Sequence, residues 1–346
     1  MIPALSPGDG TLGRRVGLTA GPGPAEKGIS RVCTAPRTTP TDGVPFFAAL
    51  PPMLTERHGD TVVIQAPAKV NLFLEVLGKR ADGYHEIATL MVAVGLYDTL
   101  EFTDEPAGRV LLACDHAELS TGSDNLVCRA AALLRHRTGC ARGAAIRLVK
   151  RIPLAAGLAG GSSDAAAALA GLNMLWQLGL NRRELASLGA ELGSDVAFFF
   201  STPAAWCTGR GEQVTPVPLG KVLDLVLACP PFGLATKDVY AGALVPGRPE
   251  TGDGIRQALA DGDVEEIGRR LHNRLQPAAE RLSPGVARLR TRLARLGPAG
   301  VQMSGSGTSV FALCRDRPES LRVAQEASGG PDEESRPNVF VVQSCV

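Results

Sequence analysis

With 346 residues, 45% hydrophobic and 21% charged, and a formal net charge of +1, the chain is long enough for two packed units. It has neither the basic excess of a nucleic-acid partner nor an uninterrupted apolar run of membrane-spanning length. Its eight cysteines, at 33, 114, 128, 140, 207, 229, 314 and 345, form no C-x-x-C pair, which speaks against a secreted disulfide framework or a zinc site and predicts reduced thiols in a cytoplasmic protein.

Residues 1–60 are rich in Pro, Gly, Thr and Arg and poor in large apolar groups, so they are expected to form a disordered leader. The leader has no continuous apolar core of a secretory signal, and Met53 is an alternative start. Order is expected from Thr61, as a strand, an interruption at Pro67 and a second strand through Val76. Lys69 and Asn71 then share one face, where Lys69 is either functional or a snorkelling side chain. Arg80-Ala-Asp-Gly-Tyr-His85 reads as a turn, and Ile87–Val94 and Thr99–Phe102 as paired strands joined through Gly95–Asp98. Ser123-Asp-Asn125 caps an apolar-periodic helix from Leu126, and Ala144–Lys150 is a strand.

That strand feeds Pro153-Leu154-Ala155-Ala156-Gly157-Leu158-Ala159-Gly160-Gly161-Ser162-Ser163, a glycine-rich loop opening an alanine-rich helix. A helix N-terminus has unpaired N–H groups and a partial positive charge, so the loop is either a phosphate cradle or a tight turn before a buried helix. It lacks the Gly-Lys-Ser/Thr ending of a Walker loop and the spacing of a dinucleotide fingerprint. The helix runs to about Trp176, a second from Asn181 to Leu192, and Gly193-Ser-Asp195 precedes an apolar run. Asp195 is either an N-cap or a carboxylate held near reacting groups. Cys207–Glu212 marks a hairpin.

A second unit is expected from about Lys221: a strand to Cys229, helices at Thr236–Leu244, Gly254–Leu259, Val264–Leu275 and Pro284–Leu296, then a small-residue turn at Met303–Thr308 before a strand. A helix at Glu319–Glu326 and a strand at Asn338–Ser344 close an α+β arrangement.

Taken together, Ala66–Leu74 with Arg80–His85, Pro153–Ser163, Gly193–Val196 and Met303–Thr308 resemble the GHMP kinase superfamily, from about Ala66 to the C-terminus. More particularly, the first of these resembles the branch that phosphorylates a cytidine-diphosphate-linked alcohol. The resemblance implies a two-domain α+β GHMP kinase fold, with an ATP-binding domain at 61–219, a C-terminal domain at 220–346 and the active site in the cleft between them. It further implies that Lys69 and Asp195 are the catalytic pair, and that Asn71 and His85 lie in the substrate pocket with Tyr84 and Tyr240 sandwiching the cytosine. The loop 153–163 would hold ATP, Asn125 would lie near the adenine, and Gly305, Ser306, Gly307 and Thr308 would border phosphates or substrate. ATP and Mg2+ are the implied cofactors, with the metal ligands unassigned, and the chain would be a monomer or weak homodimer with no membrane or nucleic-acid partner. A kinase of homoserine or mevalonate type and a non-catalytic nucleotide-binding protein are the alternatives. One departure is Ala159, where the family's loop usually has glycine; its methyl matters if the position has a positive φ.

Overall fold

The computed structural model describes residues 52–201, 203–329 and 336–346, so most of the expected leader lies outside the described residues. Its last part does not fit the expectation of disorder. Residues Leu54–His58 form strand β1, antiparallel to β2 (Thr61–Lys79) through a turn at Gly59 (φ 60°), and Met53 is buried. The segment reads as polar because it is an edge strand, whose outer positions face water.

Strand β2 is continuous through Pro67. A register shift between Pro67 and Ala68 absorbs the missing N–H, so the proline marks a bulge rather than a break. Strand β3 (His85–Glu105) is also continuous, and the expected connection at Gly95–Asp98 lies within it. Its first half pairs with β6 (Ala204–Gly209) and its second half with β5 (Gly143–Val149). Strand β4 (Val110–Cys114), absent from the sequence reading, runs parallel to β5, and β7 (Gln213–Pro216) completes the expected hairpin with β6.

Helices α1 (Leu126–Thr138), α2 (Gly160–Trp176) and α3 (Arg182–Leu192) pack with this sheet. Asn125 caps α1, and Asn181 forms a capping box with Glu184 on α3. The alanine face of α2 approaches closely: a Cβ on Gly171 would lie 2.3 Å from the Phe102 ring. The core here contains Phe102, Leu134, Leu148, Phe198 and Phe199.

The second sheet is antiparallel, in the order β10 (Gly300–Met303), β11 (Val310–Cys314), β8 (Asp224–Cys229), β12 (Asn338–Gln343). Around it lie α4 (Thr236–Ala241), α5 (Asp253–Asp261), α6 (Val264–Arg269), α7 (Gln276–Leu282), α8 (Pro284–Ala294) and α9 (Arg317–Ser328). The helix expected to reach Leu275 stops at Arg269. Beyond it, β9 (His272–Asn273) joins the first sheet in parallel with Phe73–Leu74, and Arg274 makes a bidentate pair with the fully buried Glu75 (2.7 and 2.8 Å). Extended pairing and a buried charge pair thus replace the helical turn that propensity favours. Among the described residues no helix is long and apolar enough to cross a membrane.

Candidate active site

A cavity of about 730 Å3 is lined by β2, β3, the loop after β5, the turn after α3, the β6–β7 turn, α4 and the β10–β11 turn. The glycine-rich loop forms one wall. Gly157 has φ 74°, and a Cβ there would lie 2.1 Å from the Ser304 carbonyl oxygen, so the loop and the β10–β11 turn meet backbone to backbone. Ala159 is the N-cap of α2, with φ 56° and ψ 31° and no side-chain cap bond, which leaves first-turn N–H groups without a side-chain acceptor. Its methyl therefore does occupy a left-handed conformation, at a cost of about 1 kcal/mol. Ala159→Gly is expected to raise the urea midpoint by an amount equivalent to roughly 0.5 kcal/mol, the relief of strain less the greater unfolded-state entropy of glycine. A lowered midpoint would contradict this.

Strand alternation carries Lys69 and Asn71 to the cavity floor, both almost fully buried. The Lys69 ammonium donates to Asn71 Oδ1 (2.7 Å) and Gly157 O (3.0 Å) and lies 3.5 Å from Asp195 Oδ2. Asn71 Nδ2 donates to Thr89 Oγ1 (2.8 Å), which donates to Phe73 O (2.6 Å), so the amide that orients the lysine is itself held by the sheet. Asp195 makes no cap; the short 3-10 turn Ala197–Phe200 begins after Val196, and the carboxylate is left partly exposed beside the lysine. A buried ammonium beside a partly exposed carboxylate is suited to holding a hydroxyl while its proton is removed.

Tyr84, His85 and Tyr240 also line the cavity. The His85 and Tyr240 rings lie 5.1 Å apart, tilted by 31°, and the Arg210 guanidinium sits 5.0 Å above the exposed Tyr84 ring. Burial, with a smaller contribution from the Lys79 ammonium directly across the β2–β3 pair, holds the His85 pKa below its ordinary value. The imidazole is therefore neutral near pH 7 and presents one donor and one acceptor. Burial likewise raises the Tyr240 phenol.

Of the residues singled out in the sequence, Asn125, Ser163 and Thr308 do not line the cavity. The Asn125 side chain is consumed by the cap of α1, accepting from Val127 N (2.8 Å) and donating to Ser120 O (2.6 Å). Ser163 is fully buried with its Oγ unpartnered, and Thr308 donates to Phe232 O (2.7 Å). Gly305, Ser306 and Gly307 do line it, fixed by Asn273 Nδ2 on Gly305 O (2.8 Å) and a Thr236–Ser306 hydroxyl contact (3.0 Å). The sequence reading missed Lys150, Arg210 and Lys237 in the wall. Arg210 stands between Gly209 and Gly211, and Lys150 three residues before Pro153, which were the available signals.

A glycine loop opening a helix and a lysine–aspartate pair, in one cavity between two α+β layers, define an ATP-dependent small-molecule kinase. Residues 125–202 match the model of the GHMP kinases N terminal domain and residues 255–329 that of the GHMP kinases C terminal. The chain is 45% identical over 291 residues to a 4-diphosphocytidyl-2-C-methyl-D-erythritol kinase of Symbiobacterium thermophilum, covering 82% of this chain and 99% of the relative. A kinase of the same name from Shouchella clausii is 43% identical over 271 residues, covering 78% and 91%. A crystal structure of 4-(cytidine 5'-diphospho)-2C-methyl-D-erythritol kinase superposes with a TM-score of 0.68 at 33% identity, covering 82% of this chain and 99% of that one. The chain belongs to the GHMP kinases, in the family of 4-diphosphocytidyl-2-C-methyl-D-erythritol kinases.

Proposed function

We propose that this kinase transfers the γ-phosphoryl group of ATP to the 2-hydroxyl of 4-diphosphocytidyl-2-C-methyl-D-erythritol, a step toward isoprenoid precursors. The observation that carries the reading is the Lys69–Asp195 contact (3.5 Å) in a cavity lined by both the glycine loop and Tyr84, His85 and Tyr240. In this reading residues 61–219 form the ATP-binding domain and 220–346 the C-terminal domain, with the reacting groups in the cleft between them.

Phosphoryl transfer asks a protein for position and charge neutralisation more than for covalent chemistry. Asp195 accepts the proton of the acceptor hydroxyl as it attacks. Lys69, fixed by Asn71 and the Gly157 carbonyl, orients that hydroxyl and keeps the carboxylate aligned. The backbone N–H groups of the loop and of the start of α2, which line the cavity, face the triphosphate. Magnesium would accompany the nucleotide, held largely by its phosphates and water, and would supply charge neutralisation at the triphosphate. Tyr84 and Tyr240 supply faces for the cytosine, and neutral His85 supplies a donor and an acceptor for its edge.

The test is ATP consumption with the diphosphocytidyl substrate beside homoserine and mevalonate; turnover with the latter two alone would refute the assignment. Tyr84→Ala is expected to raise KM for the cytidine substrate by roughly 10-fold or more, the loss of about 1–3 kcal/mol of base stacking, and to leave KM for ATP within about twofold. Equal losses for both substrates would remove Tyr84 from the acceptor site.

A further inference from the structure

Beneath the glycine loop lies a charge cluster that the reaction does not use. The Lys150 ammonium, at the end of β5, bonds to Asp98 Oδ2 of β3 and to Asp164 Oδ2 of α2 (2.7 Å for the latter). All three side chains are essentially buried, at 2%, 0% and 3% exposure for Lys150, Asp98 and Asp164. Asp98 Oδ1 also accepts the backbone N–H groups of Arg151 (2.6 Å) and Ile152 (2.9 Å), the two residues that lead into the loop. Asp164 follows the loop directly, in the opening of α2. One lysine and two carboxylates thus tie the entrance and the exit of the loop to the same point on the sheet. Lys150 itself borders the cavity, with its ammonium 3.2 Å from where a Cβ on Gly160 would lie.

Two carboxylates and one ammonium leave one negative charge in excess if both acids ionise, and a buried uncompensated charge is costly. The hydrogen bonds distinguish the two acids. Asp98 receives three donors, two on Oδ1 and one on Oδ2. Asp164 receives Lys150 as its only donor, its Oδ1 is buried with no partner, and it shares with Asp98 a side-chain hydrogen bond that needs a proton between the two acids. An ionised Asp164 would therefore carry a bare oxygen in the core. Lys150 and Asp98 are the charged groups that face it, whereas the buried residues that α1 and β2 bring to the same core are apolar, among them Val127, Ala130, Ala131, Ile64 and Ala66.

We propose that Asp98, Lys150 and Asp164 form a staple that positions both ends of the nucleotide loop, with Asp164 in its protonated form, so that ATP affinity falls when Asp164 ionises. Burial pushes the Asp164 carboxyl up to about 8, with the Lys150 ammonium opposing and Asp98 reinforcing the shift. Below that pH the cluster is neutral. Above it, an unbalanced negative charge appears under the wall that faces the triphosphate. The inference rests on the assignment of loop 153–163 to ATP, and the three residues are positioning residues rather than catalytic ones.

The measurement is the Kd of a non-hydrolysable ATP analogue with magnesium, titrated calorimetrically on the full chain from pH 7.5 to 9.5. The wild type is expected to bind about tenfold more weakly at pH 9 than the protonated plateau, the loss that follows from one proton with a midpoint near 8. Asp164→Asn keeps an oxygen for Lys150 and cannot ionise, so its Kd is expected to stay within about twofold across the range. A role in stability alone would shift its unfolding midpoint and leave the pH slope intact. A flat wild-type profile, or the same slope in the asparagine variant, overturns the staple. Absence of binding at every pH removes the loop assignment together with it. Should Asp164→Asn fail to fold, infrared detection of a protonated carboxyl in the wild type decides: a band lost with the same midpoint as the affinity supports the proposal, and no such band refutes it.

Discussion

Asp195→Asn is expected to lower kcat by about 10²–10⁴-fold, the usual contribution of a general base, while the Kd for an ATP analogue stays within about threefold. The side chain lies 3.5 Å from the Lys69 ammonium and is only partly exposed, so it borders the reacting centre without being sealed in the core. Asparagine preserves its size and can still accept from Lys69 through its amide oxygen, but it cannot take a proton from the acceptor alcohol. Lys69 loses its counter-charge in the variant but keeps its hydrogen bonds, because Asn71 Oδ1 and Gly157 O still accept from it and the site opens to water at Asp195. Folding should therefore survive, and the loss should appear in single-turnover rates rather than in protein yield. Retention of full activity would show that the acceptor hydroxyl loses its proton elsewhere and that Asp195 serves only to hold the lysine.

Capping residues made much of the helical layer legible: Asn125 and Asn181 both stand where the sequence places them, because a cap is a local bargain between one side chain and its own helix. The β3 strand was not legible as one strand. Gly95 and Asp98 look like turn residues, yet Asp98 is fully buried because its partners, Lys150 and the Arg151 and Ile152 N–H groups, arrive from more than 50 positions away. A still longer separation, 199 positions between Arg274 and Glu75, concealed β9, whose two residues pair with β2. In the site, the alternation of Lys69 and Asn71 and the glycines of the loop are visible as spacing. Arg210 and Lys150 belong to no periodic pattern, and only tertiary packing turns them toward the cavity. Ala159 was visible as an oddity in the resemblance, and its φ of 56° makes that oddity a matter of local strain.

Gly157→Ala should be the most damaging single methyl in the loop, with kcat/KM reduced by about 10²-fold or more and the fold destabilised by roughly 2–4 kcal/mol. Two independent obstacles meet there. The backbone has φ 74°, and a Cβ would lie 2.1 Å from Ser304 O and about 3 Å from Gly307 N and O, all of them backbone atoms that cannot rotate away. Relief requires the loop and the β10–β11 turn to separate. The Gly157 carbonyl accepts from both Lys69 Nζ (3.0 Å) and Ser304 Oγ (3.0 Å), so separation also withdraws an acceptor from the lysine paired with Asp195. Gly161→Ala is the informative contrast: its added Cβ would meet only Leu126 Cδ1 at 3.6 Å, an ordinary contact, while projecting into the wall assigned to phosphate. That variant should keep its unfolding midpoint and lose ATP affinity, whereas Gly157→Ala should lose both. Equal stability of the two proteins in urea would mean that the loop and the β10–β11 turn do not meet in solution as they do here.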